Sequence, residues 1–355
     1  MRLTKILTGL AIASGLILGG ATAEAQKSDV TLRVASYGGV FTEAHKKFVA
    51  DLYTERTGVK VEFIDASPKT HLAKMIAAKG REAPFDLVYL DEDVEVEAVD
   101  AGVVMKLDPK LIPNLAFVYP EVRNKDGFGP GVLFASIAIA YNTEKFKAAG
   151  IPEPTSWADL WNPKLAGHVS IPSIDNVMGR TFIVAAAKLA GGDESSLAKG
   201  IDKIAEIKAH SYYISSTDLQ GKIESGDVWA APWINGRAWN MAIRGTPLRF
   251  VMPKEGGYAD FGTLDVVAGS KHPAEAMGYI NFLLEPLPQL ALAYELTYGP
   301  TIHTLAPLLK NYPDLARMFP SSPEDLDRLN KIDWHKFSPQ YPKLLQDWNR
   351  KIASK

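Results

Sequence analysis

The sequence contains no cysteine. That excludes disulfide staples, thiolate metal sites, thiol nucleophiles and a lipid-modified N-terminal cysteine. It has no excess of either charge. Thirty-nine Lys+Arg stand against 41 Asp+Glu, a net charge of −2, with no basic footprint for nucleic acid and no charged tail. Long apolar runs are also missing after the first residues: the best, 182–190, is short and already contains Lys188. The usual catalytic signatures are absent too. The seven histidines are scattered without H-E-x-x-H, no G-x-S-x-G occurs, and Gly191-Gly192 and Gly256-Gly257 lack the Lys-Ser/Thr of a P-loop. Carboxylates abound, but nothing selects two of them as acid and base. No enzyme, cofactor site or metal site is expected.

What is present begins at the N-terminus. Arg2 and Lys5 precede an apolar stretch, 6–18, and then Ala23-x-Ala25. This is the tripartite secretory signal, with cleavage expected after Ala25 and a mature start at Gln26. A membrane anchor is the competing reading, but the stretch is shorter than the ~20 residues a spanning helix needs. The expectation is a soluble periplasmic protein, not lipid-anchored and monomeric by default. With about 330 mature residues, its core suffices without disulfides.

Along the mature chain, β-branched stretches alternate with helical ones. Residues 30–36, 59–64 and 85–90 read as strands, and 41–56, 69–78 and 94–101 as amphipathic helices. That alternation predicts a parallel sheet with helices on both faces. Residues 129–142 are apolar and extended, and 168–172, 228–233 and 264–270 read as further strands. Helices are expected at 177–190, 195–209, 217–226 and 274–294, and then with breaks to the C-terminus. A chain this long is divided most simply into two α/β lobes.

Several segments together resemble one family: TLRVASYGG (31–39), FDLVYLD (85–91), IAYN (139–142), SWADLWNPKLAG (156–167), GDVWAAPW (226–233) with Asn235-Gly236, and GTLDVVAGSK (262–271). They are similar to the periplasmic solute-binding proteins of ABC importers of the spermidine/putrescine type. That group also contains binders of iron(III), thiamine, aminophosphonate and γ-aminobutyrate. The resemblance implies an α/β, two-lobe periplasmic-binding-protein fold with two hinge crossings and an interlobe cleft. Lobe one would hold 27–138 and 266–330, lobe two 139–265, and 331–355 would pack across both. Hinge crossings would lie near 137–140 and 264–267. It also implies a small amine-bearing solute as ligand, polyamine or γ-aminobutyrate-like zwitterion, and a permease–ATPase complex as partner. The same fold could instead serve as a ligand-sensing module for a membrane receptor, or take a different anion or iron(III).

Six residues are candidate ligand contacts. Asp265 resembles the family carboxylate that receives an ammonium, although the Trp often found two places earlier is here Thr263; a turn or cap aspartate is the plainer reading. Trp233 resembles the Trp of the family's W-N-G segment, with Ile234 intervening, and would use cation–π attraction; otherwise it is core. Arg237 opens a helix and could grip a carboxylate or phosphonate in bidentate fashion, or sit in a structural ion pair. With Asp265 it would read a zwitterion. Tyr37, directly after the first strand, would wall the cleft, and its glycine neighbours Gly38 and Gly39 would allow close approach. Asp91 could face the cleft or cap a helix, and Glu92 reads as a first-turn acid. Ser173 and Asn176 lie at a strand-to-helix turn, where Asn176 reads as a cap. Tyr212-Tyr213, a pair that iron(III) binders use, reads here as strand.

Overall fold

The computed structural model describes residues 28–312, 318–320 and 323–354. The signal-peptide reading of 1–25, and Gln26, lie outside the described residues.

Among the described residues, nine strands carry the architecture: β1 (Thr31–Ser36), β2 (Lys60–Asp65), β3 (Leu87–Asp91), β4 (Gly131–Asn142), β5 (Ser170–Pro172), β6 (Ser211–Tyr213), β7 (Ala230–Ile234), β8 (Leu248–Val251) and β9 (Tyr258–Val266). The large sheet runs β2-β1-β3-β9-β4-β7, with β8 also on β4. β1 pairs β2 and β3 in parallel, as the alternation of strands and helices predicted. From β3 onward every pairing in that sheet is antiparallel. The sheet is therefore mixed rather than parallel. The reason is that β9 returns from far along the chain and inserts between β3 and β4, a long-range event that local periodicity does not encode. β5 and β6 form a separate parallel pair, joined to the β7 side through a Val169–Ala230 bridge.

The helices are α1 (Gly39–His45, Lys46–Ala50 and Asp51–Thr57 in unbroken succession), α2 (Pro68–Ala78), α3 (Glu92–Asp100), α4 (Thr143–Ala148), α5 (Val177–Leu189), α6 (Ala198–Ile204), α7 (Ser216–Glu224), α8 (Asn235–Ile243), α9 (Pro273–Leu283) and α10 (Pro286–Leu296), followed by short turns and α11 (Trp334–Phe337) and α12 (Tyr341–Trp348). The helix expected over 195–209 is confined to α6. The helix expected over 274–294 is two, broken where Pro286 opens α10, a position where the missing N–H costs nothing. Asn176 caps α5, its Oδ1 accepting from the Met178 N–H at 2.8 Å.

β4 is the spine. All twelve of its residues are buried. Its first half pairs β9, from Gly131–Thr263 to Ile137–Tyr258. Its second half pairs β7 and β8, from Ile137–Ile234 to Asn142–Leu248. One apolar cluster gathers residues from Leu32 to Phe134 and from Ala259 to Leu329. Another gathers Ala135 to Tyr258 together with Trp334, Phe337, Leu344, Trp348 and Ile352. A third covers the other face of the first sheet half, around Val88, Leu90 and Val104. The first two clusters part inside β4, at Phe134/Ala135, and inside β9, at Tyr258/Ala259. Both points lie earlier than the sequence-based divisions at 138/139 and 265/266. Leu264 to Val266 pair with β3 in the middle of the first half, so they are not a crossing. The C-terminal helices join the second cluster while α11 also lies against α3.

Candidate functional site

A cavity of about 680 Å³ opens between the two halves of the sheet. Its walls come from the ends of β1 and β3 and the first half of β9 on one side, and from the starts of α5 and α7 and one face of α8 on the other.

Tyr37 leaves the end of β1, where Gly38 and Gly39 both take positive φ (86° and 60°), a turn into α1 that other residues would resist. Its ring packs edge-on against Phe41 at 4.7 Å. Its hydroxyl is shielded from solvent, and it lies beside Gly262, where a Cβ would stand 3.4 Å from the oxygen. Burial first, and then the charges of Asp91 and Asp260, push its phenol well above the ordinary range.

Asp91 ends β3 and stands at the cap position of α3, yet its side chain makes no capping bond. The carboxylate faces the cavity instead. Across the ladder Asp91 pairs Gly262, and two residues before Gly262 on the same strand is Asp260. Residues two apart on a strand share a face, so Asp260 joins Asp91 and Tyr37. Among the described residues Asp260 has no hydrogen-bond donor. Burial, followed by Asp91 and Asp93, raises the Asp260 carboxyl to about 8. Burial and Asp93 raise Asp91 to about 6. Glu92, raised to about 8 by burial and then by Asp260, adds to this acidic ground.

One buried cation answers it. Arg180 on α5 meets Asp93 on α3 at 2.8 Å, with each side chain only 3% exposed. It also donates to the Ile174 carbonyl at 3.1 Å. Its charge pulls both Asp91 and Asp260 downward. Among the described residues, Asp93 Oδ1 and Arg180 Nε have no hydrogen-bond partner.

The opposite wall is α8. Arg237 lies in its first turn, half-buried and lining the cavity. Among the described residues it pairs with no carboxylate. It touches Tyr298, whose phenol is raised by burial and drawn back down by the Arg237 charge.

Of the six sequence-based candidates, the cavity thus brings together Tyr37, Asp91 and Arg237. It leaves out the other three. Asp265 is fully buried. Its Oδ1 accepts the Gly129 N–H at 2.7 Å and its Oδ2 the Thr263 hydroxyl at 2.9 Å. Five residues from Asp260 on one strand, it must leave by the other face. Trp233 is fully buried in the second core, its Nε1 donating to the Ser216 hydroxyl at 3.2 Å. The intervening Ile234 explains this: one added residue on a strand reverses the faces, and it is Ile234 that lines the cavity. Ser173 is buried and spends its hydroxyl on Asp175 at 3.2 Å. Tyr212 and Tyr213 lie in β6 as read, with the Tyr213 hydroxyl donating to the Pro232 carbonyl at 2.5 Å.

Sequence reading missed Asp260 and Tyr298. For Asp260 the sequence carries only half of the signal: period 2 puts it on the face of Gly262, but does not tell which face meets the cavity. Tyr298 follows the left-handed Thr297 at the end of α10 and has no local mark.

Comparison with known proteins then places the chain. A family model described as bacterial extracellular solute-binding protein matches residues 49–319. The spermidine/putrescine-binding periplasmic protein of Salmonella typhimurium is 26% identical, over 97% of each chain. The γ-aminobutyric acid-binding protein of Pseudomonas aeruginosa is 25% identical, over 88% of each. The crystal structure of an ABC transporter protein from Clostridium perfringens superposes with a TM-score of 0.76, at 24% identity, covering 90% of this chain and 99% of that one.

Proposed function

The chain belongs to the bacterial extracellular solute-binding proteins, non-enzymatic receptors that deliver solutes to ABC transporters, and on that premise we propose that it captures a small zwitterion, an amine that also carries an acid group. The observation behind this is that Arg237, without a carboxylate partner among the described residues, faces the same cavity as Asp91 and Asp260.

The ammonium lies against Asp91 and Asp260, where desolvated carboxylates make strong charge-assisted hydrogen bonds. The Tyr37 and Tyr298 hydroxyls flank it. The acid takes the Arg237 guanidinium, at the start of α8, where the helix dipole also favours an anion. The two groups are held from opposite walls, so ligand favours the closed arrangement over an open one. β4 and β9 carry the crossings, and export by the N-terminal signal puts this in the periplasm, with a permease–ATPase complex receiving the monomer.

A polyamine is the second reading. Asp175 and Glu295 also line the cavity and could serve a further ammonium. Calorimetry with γ-aminobutyrate and putrescine separates the two. The zwitterion should bind the wild type and lose most of its affinity in Arg237→Ala. Putrescine binding that survives Arg237→Ala, with no zwitterion bound, would overturn the reading.

A further inference from the structure

α8 presents Arg237, Asn240, Met241 and Arg244 to the cavity. Their spacing of three, four and seven residues is that of one helical face. Arg244 stands at the C-cap of α8, so its position is about 10 Å along the helix from Arg237, at 1.5 Å per residue. The wall between them is the buried Met241 and the half-buried Asn240, whose amide is engaged by Thr297 Oγ1 at 3.0 Å.

Five other arginines among the described residues have acids to hold. Arg33 pairs Glu82 and Asp86, Arg56 pairs Glu285, Arg180 pairs Asp93, Arg249 pairs Glu153 and Arg350 pairs Asp347. Arg81 and Arg123 donate to backbone carbonyls. Among the described residues, the two arginines that line this cavity, Arg237 and Arg244, hold no carboxylate. The two acids on the outer cavity wall do not neutralise them. Asp175 accepts from Tyr341 at 3.2 Å and from Ser173, and Glu295 pairs with neither arginine among the described residues. A cation at a helix C-terminus gains from the dipole, which accounts for a charge at Arg244 but not for its facing a cavity in line with Arg237. The cavity is also large for a ligand with only a handful of heavy atoms, since 300–1,000 Å³ is the usual span for drug-sized ligands.

We infer that the ligand carries a second acidic group, about 10 Å beyond the first, and that Arg244 binds it. The inference rests on the amine–acid reading and narrows it to an amine with two separated carboxylates joined by a partly apolar spacer. Arg237 takes the acid beside the amine, Met241 lies under the spacer, and Arg244 selects for length and for the terminal charge. Arg244 is then the residue that distinguishes long two-acid ligands from γ-aminobutyrate.

γ-Glutamyl-γ-aminobutyrate has an amine with an adjacent carboxylate and a distal carboxylate about that far away; its distal amide lacks only the second charge. Calorimetry on the mature protein should show the diacid binding at least about tenfold more tightly than the amide, the equivalent of 1.4 kcal/mol. Arg244→Gln should erase that ratio chiefly by weakening the diacid, whereas Arg237→Ala should weaken both. Equal binding of diacid and amide, or a ratio that persists in Arg244→Gln, would overturn the role of Arg244 while leaving the amine–acid reading intact. Binding of polyamine with neither probe bound would overturn both.

Discussion

β9 carries an aspartate on each face, Asp265 fully buried and Asp260 half-buried, and the two do different work. Asp265 lies in a closed environment: each carboxylate oxygen accepts a donor, and the Gly129 backbone runs so close that a Cβ there would fall 2.5 Å from its Cγ. Asp260 lies on the cavity side with Asp91 and Tyr37, and no described residue donates to it. Burial raises both carboxyls, Asp265 to about 6 and Asp260 to about 8. A raised carboxyl is therefore not the mark of a binding group. What separates the two is whether the structure already supplies its donors. Asp265 ties the segment before β4 to β9, and Asp260 keeps its capacity for a cation from outside.

The sharpest way to break that comparison is to exchange the effects of two substitutions. Asp260→Asn should cost the amine ligand about a hundredfold in affinity, in the range seen when one partner of a buried charge pair is removed. It should leave the fold intact. Asp265→Ala should do the reverse: affinity within about threefold of wild type, but about 2–3 kcal/mol less stability, because two buried hydrogen bonds are lost. Urea unfolding and calorimetry on both variants measure this, and swapped results would refute the assignment.

The Arg180–Asp93 pair joins α3 of one half to α5 of the other. Arg180→Met should destabilise by about 3–5 kcal/mol, the cost of stranding a buried charge. The double variant Arg180→Met/Asp93→Asn should recover part of that loss. A double variant no better than the single one would mean the pair is not energetically coupled.

The third effect is a pH dependence. Between the ordinary carboxylate range near 4 and the folded value of about 8, Asp260 keeps its proton in the empty protein while the unfolded chain has lost it. The unfolded state thus binds fewer protons, and this group lowers the stability of the empty protein as pH rises through that window. Ammonium binding requires the charged form and expels the proton. Affinity for the amine should therefore rise from pH 6 to pH 8, by up to about tenfold per unit. In Asp260→Asn the slope should flatten to what Asp91, raised to about 6, contributes. A slope of opposite sign would show that the carboxyls do not meet a cation.

The smallest effect concerns the second half. Asn176→Ala removes the α5 cap and should cost about 1 kcal/mol in urea unfolding without changing ligand affinity. A large loss of binding instead would place Asn176, which also lines the cavity, on the ligand.

Much of this was legible in the sequence, and for local reasons. The strands β1 to β3, the helices between them, the Asn176 cap and the turn glycines after Tyr37 are set by periodicity and by backbone preferences within a few residues. The family motifs pointed to the periplasmic-binding-protein fold. Arg237 could be marked because it follows Asn235-Gly236 at a helix start. The Ile234 insertion was equally visible, and its consequence for Trp233 needed only the period of a strand.

The amino-acid sequence by itself thus determined the α/β class, the family and the kinds of groups available for a ligand. The tertiary structure alone decided which acid faces the cavity. β9 reaches its neighbours across long stretches of chain, Asp91 beside Gly262 and Ala135 beside Asp260. The register of such non-local pairing sets which side of the strand meets the cavity. No local pattern carries that register, and so Asp260, not Asp265, came to stand opposite Arg237.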